Sequence, residues 1–103
     1  MKNSLKKEKD FDKVFKFGKR VFSKNLTLVY LPSNETKFGF AVSKKHGKSV
    51  VRNRIKRLLR EAVRSFDLEN EKQNFFFVFI PKVREEYSLE TYKNDIGYLL
   101  RKI

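Results

Sequence analysis

At 103 residues, with 40% apolar residues and eleven Phe, the chain is expected to form a single domain, residues 1–103, around a modest core. It has no Cys, which excludes a disulfide framework and a thiolate metal site, and no apolar run long enough to span a membrane. A formal net charge of +13 points to a polyanionic partner, and an N-terminus without an apolar signal core points to the cytoplasm.

Met1 to Lys7 is polar and is expected to be loose. Glu8 to Phe17 reads as a helix closed by Gly18. Phe11, Val14 and Phe15 share one stripe of it, Phe17 lies off that stripe, and Lys9, Lys13 and Lys16 line another side. Taken alone, Phe11 and Phe15 read as core packing before they read as a binding surface. Arg20 to Leu31 alternates like a strand, with apolar residues in both sets, so both of its faces should be covered; a short extra strand around Val21 and Phe22 fits the pattern. Pro32-Ser33-Asn34 is a turn, and Thr36 to Ser43 is the next strand. Phe38, Phe40 and Val42 fall on one face of that strand, with the small Gly39, Ala41 and Ser43 on the other, leaving room for a close-packed helix or a ligand. The short turn predicts that these two strands pair antiparallel.

Ser43 to Arg64 then carries Lys44, Lys45, Lys48, Arg52, Arg54, Lys56, Arg57, Arg60 and Arg64 against one acid, Glu61. At roughly 100° per residue, Val51, Ile55, Leu58, Leu59, Ala62 and Phe66 make an apolar face. Arg52, Lys56, Arg60 and Arg64 follow one another at four-residue steps, with Asn53 and Arg57 beside them and Arg54 on the far flank. Ser49 is the expected N-cap, and Gly47 allows a tight turn before it. A solvated helix face intersperses both signs, whereas a single-sign row repels itself by a few tenths of a kcal/mol per pair. Such a row calls for an anion, and its Arg content suits phosphates, so nucleic acid is the favoured partner. Asp67 to Gln73 is an acidic connector. Asn74 to Pro81, with Phe75 to Ile80 unbroken, is the candidate central strand. Lys82 to Tyr87 is a loop, and Ser88 caps a last helix with the stripe Tyr92, Ile96, Leu99, Leu100 and Ile103.

Ser43-Lys44-Lys45, Gly47, Val51-Arg52-Asn53-Arg54-Ile55-Lys56-Arg57 and Arg60-Glu61 together resemble the motif of the protein subunit of bacterial ribonuclease P. His46, where that family usually has an aliphatic residue, and Ser49, where it often has Ala, are the departures, and neither is expected to touch the basic row. The resemblance implies an α+β fold. It is a two-layer sandwich ordered helix, two or three strands, helix, strand, helix, with a mixed sheet and a left-handed β-α-β crossover, against the right-handed form of about 98% of such units. It implies that Lys44, Lys45, Lys48, Arg52, Asn53, Arg54, Lys56, Arg57, Arg60 and Arg64 bind the RNA subunit. It also implies that Phe11 and Phe15 wall a cleft for the 5′ leader of precursor tRNA. Tyr30 is expected opposite them, and Lys13 and Lys16 within reach of the leader backbone.

No catalytic set stands out. His46 is the one histidine and reads as an exposed loop residue; Glu8, Asp10 and Asp12 spread around a helix; Glu85-Glu86 is a solvated pair. Neither a catalytic nor a metal-binding residue is assigned. The resemblance implies that the RNA does the chemistry with Mg²⁺, while the protein assists substrate binding and is monomeric apart from the RNA. A ribosomal protein or RNA chaperone is the alternative. A DNA-binding helix pair is disfavoured, because strand and loop precede the basic helix. A membrane-surface binder would need aromatics on that helix's outer face, and there are none.

Overall fold

The computed structural model describes residues 4–68 and 73–103. Helix α1 spans Glu8–Phe17, strands β1, β2 and β3 span Lys19–Phe22, Leu26–Pro32 and Lys37–Phe40, helix α2 spans Ser49–Arg64, strand β4 spans Phe75–Pro81, and helix α3 spans Leu89–Leu100. The class is α+β with a four-stranded mixed sheet in the order β1-β2-β4-β3.

β4 is central because its unbroken apolar run demands cover on both faces and a partner on both edges. It pairs antiparallel with β2 and parallel with β3. The expected antiparallel pairing of β2 with β3 is therefore not formed. β4 lies between them, and β3-α2-β4 is the crossover that returns the chain to the gap. β1 is a full strand, paired antiparallel with β2 at the edge.

Alternation along β4 sorts the core into two. Phe75, Phe77 and Phe79 face α2 and α3 with Leu26, Leu28, Phe38, Ile55, Leu59, Ile96 and Leu99. Their rings stack in a ladder with Phe38 and Phe40, centroids 5.5–6.3 Å apart. Phe76, Val78 and Ile80 face the other way, with Val29, Leu31, Val14 and Leu5. α1 covers that second face, so the sandwich of sheet with α2 and α3 gains a helix on its far side. Each fully buried Leu or Phe contributes about 1.5–3 kcal/mol.

Several local expectations change. Leu5 is buried at 5% exposure, its N–H donates to the Phe38 carbonyl at 2.7 Å, and Ser4 bridges Phe38, so this end of the chain is pinned to the β3 edge. Val51 is exposed, and Val63 replaces it in the core face of α2. Ile103 lies past the end of α3 and is exposed. The strand expected over 36–43 is shorter, Lys37–Phe40. Within the connector expected over 67–73, Leu68 joins the core and residues 69–72 lie outside the described residues. Gly18 closes α1 as expected, its N–H bonding the Val14 carbonyl, and Ser88 Oγ caps α3 by accepting from the Thr91 N–H. Tyr92 is buried, and among the described residues its hydroxyl has no partner; burial first, then the neighbouring Tyr87 and Asp95, push its phenol well above the ordinary range.

Candidate nucleic-acid interface

Two surfaces rise from this frame. The first is built by α2 and the 3-10 turn Lys44–His46 before it. Gly47 has φ +117°, in the left-handed region, and this turns Lys44, Lys45 and Lys48 onto the approach to the helix. Ser49 is the first helical residue rather than the cap, since Lys48 holds the cap position without a side-chain bond. Ser49 Oγ instead accepts from Arg52 Nη2 at 3.2 Å, so this position does touch the basic row. His46 is not a free loop residue. Its Nε2 lies 3.0 Å from the Pro81 carbonyl oxygen and its Nδ1 3.2 Å from that of Ser43, which ties the turn to the end of β4.

The helical wheel divides the row. Arg52, Lys56 and Arg60 are half-buried on the flank that adjoins the core, whereas Asn53, Arg54, Arg57 and Arg64 are exposed. Lys44, Lys45 and Lys48 are exposed as well. Among the described residues none of these nine cations pairs with an acid; the ion pair present, Lys37 with Glu35 at 3.0 Å, is elsewhere. The row thus keeps its mutual repulsion and its full capacity for anionic partners.

The second surface is the flank of α1 that carries Phe11 and Phe15 beside the sheet. The helix crosses the sheet from β3 towards β1. Phe11 lies on Gly39 of β3, where an added Cβ would come within 2.6 Å of the ring. The small-residue face of β3 thus accommodates a Phe ring. Val14 seats the helix on Val29 and Val78. Phe15, with its centroid 6.5 Å from that of Phe11, continues towards β1, where the Arg20 guanidinium carbon lies 5.9 Å from its centroid. Both Phe are half-buried, while Lys13 and Lys16 are exposed.

Tyr30 does not join them. Strand alternation puts it on the opposite face, edge-on to Phe75 at 5.5 Å, where it packs against the α2–α3 core. Val29 and Leu31 are the β2 residues that face α1. The sequence places Tyr30 at the end of a strand without fixing its parity, and Arg20 comes beside Phe15 only through the register of β1 with β2. A cleft of about 460 Å³ connects the two surfaces, with Lys6 and Phe11 on one side and Lys56 and Arg60 on the other, beside Phe38 to Phe40. Among the described residues no three His, Asp or Glu side chains converge as metal ligands.

Residues 1–103 match the family pattern described as Ribonuclease P. The ribonuclease P protein component of Caldanaerobacter subterraneus subsp. tengcongensis is 40% identical over 101 residues, covering 95% of this chain and 86% of that one. That of Bacillus velezensis is 39% identical over 104 residues, covering 98% and 89%. The solved ribonuclease P protein from Thermotoga maritima superposes with a TM-score of 0.83 at 26% identity, covering 97% of this chain and 96% of that one.

Proposed function

This chain belongs to the ribonuclease P protein family, as the protein partner of an RNA in an RNA-based endoribonuclease, and from that premise we propose a division of labour between its two surfaces. The Lys44–Lys48 turn and the basic face of α2 bind the RNA subunit. The Phe11 and Phe15 side of α1, flanked by Lys13 and Lys16, holds the unpaired 5′ leader of precursor tRNA. The observation that carries this reading is a cationic face without acidic partners among the described residues, joined by a cleft to half-buried aromatics on a different element.

The chemistry of each surface matches its proposed ligand. Arg and Lys on α2 meet the phosphates of a folded RNA as charge-assisted donors. Half-buried rings stack on unpaired bases irrespective of sequence, at about 1–3 kcal/mol per base, which suits leaders of any sequence. Binding the leader favours precursor over product, so the protein discriminates substrate while the RNA carries the reaction. In this reading Mg²⁺ would be held by the RNA, where it would neutralise phosphate charge and activate water. In this reading the protein works in the cytoplasm and is monomeric apart from the RNA.

The test is holoenzyme affinity for precursor tRNA with a leader of several nucleotides against affinity for mature tRNA. Phe15→Ala should lower precursor affinity about tenfold and leave mature tRNA binding close to wild type, at a stability loss of about 1–3 kcal/mol, as for a half-buried ring. Equal losses for both tRNAs, or a collapse in Tm, would return Phe15 to a purely structural role.

A further inference from the structure

β1 lies at the edge of the sheet beyond Phe15, and none of the described residues pairs with its outer edge. Its register with β2 pairs Arg20 with Val29 and Phe22 with Thr27. Directly opposed residues of an antiparallel pair point to the same face, and Val29 faces α1, so Arg20 and Phe22 share the face of α1. Phe22 is 60% exposed, and Phe17, at the end of α1, is 64% exposed. From Lys13 to Asn34 there are five cations, Lys13, Lys16, Lys19, Arg20 and Lys24, and no acid. The Arg20 guanidinium already lies against the Phe15 ring, so Phe15, Arg20 and Phe22 follow one another as ring, planar cation, ring.

Edge protection explains part of this. Charged residues on an edge strand block pairing with other chains, and Lys19 and Arg20 serve that end. A bare phenyl ring on the same edge does the opposite, so protection does not account for Phe22.

We propose that Arg20 and Phe22 extend the Phe15 surface into a stacking track for unpaired RNA along β1, occupied by the part of the 5′ leader beyond the nucleotides held at Phe11 and Phe15. The inference rests on the leader-binding reading above. The occupant follows from the chemistry: alternating π-faces and a guanidinium suit stacked bases, and the acid-free cations around them suit the phosphates between those bases. Duplex RNA would hide its base faces from Phe22, so the ligand is single-stranded.

The experiment measures holoenzyme affinity for precursor tRNAs with leaders of increasing length, using wild type, Phe22→Ala, Phe22→Tyr and Arg20→Gln. Phe22 is exposed, so its replacement should leave Tm unchanged. The expected result is that wild type and Phe22→Tyr gain affinity with each added nucleotide up to a plateau. Phe22→Ala should match them on the shortest leaders and fall about five- to tenfold behind on long ones, whereas Arg20→Gln, whose guanidinium also lies against Phe15, should lose affinity on short and long leaders alike. If both variants follow wild type at every length while Phe15→Ala loses affinity, the track does not exist and the leader reading stands. If wild type itself gains nothing from a longer leader, the leader reading fails and this inference with it.

Discussion

Phe15 and Tyr30 show what a single position in a strand or helix decides. Both are half-buried aromatics that sequence reading assigned to one cleft. The structure separates them by the thickness of the sheet, because Tyr30 shares parity with Leu26 and Leu28 rather than with Val29. Their substitutions should therefore differ in kind. Tyr30→Ala removes the edge-on packing against Phe75 and is expected to lower stability by about 1–3 kcal/mol, below the ~3–5 kcal/mol of a fully buried ring. It should reduce binding of precursor and mature tRNA alike, if at all. Thermal melts alongside the two affinities would check this, and a precursor-specific loss at unchanged Tm would mean that Tyr30 reaches the leader. Other residues were misread for comparable reasons. Leu5 in a polar tail gives no periodic signal, and its burial depends on β3 offering a free edge. His46 became an anchor because β4 ends beside it, which nothing within the 43–48 segment reveals.

At the scale of elements, the helices and the central strand were legible, whereas the direct pairing of β2 with β3 was expected and is not formed. α1, α2 and α3 carry 3.6-residue stripes and end signals such as Gly18 and Ser88, all local in sequence. The pairing of β2 and β3 through β4 joins distant segments, whereas the short turn between the two strands misleadingly suggested that they pair directly. The proposal that α2 binds the RNA subunit starts from a motif, Arg52 to Arg57, whose spacing needs no tertiary information. The division of its cations into a half-buried row and an exposed row adds what the wheel alone left open. Arg54 and Arg57, on the exposed side, are free to meet RNA without disturbing the core. The Arg54→Ala, Arg57→Ala double variant should bind the RNA subunit more weakly. Its log–log salt slope should be shallower by about 0.7–0.9 for each phosphate that the variant no longer neutralises. Filter binding across a salt series measures both, and an unchanged slope in a folded double variant would remove these two residues from the interface.

Over the whole molecule, helices on both faces of the sheet leave two positively charged regions accessible at once, one along α2 and one from α1 to β1. Under the proposed function, this layout would let one protein hold two RNAs side by side. Family membership favours this reading over a ribosomal protein or chaperone of similar charge. The most direct measurement is cleavage of precursor tRNA by purified protein pretreated with ribonuclease, compared with the same protein, freed of ribonuclease and then mixed with the RNA subunit and Mg²⁺. The account predicts no cleavage by the protein alone and a single cut at the mature 5′ end once the RNA is present. Cleavage at that site by the RNA-free protein would contradict it.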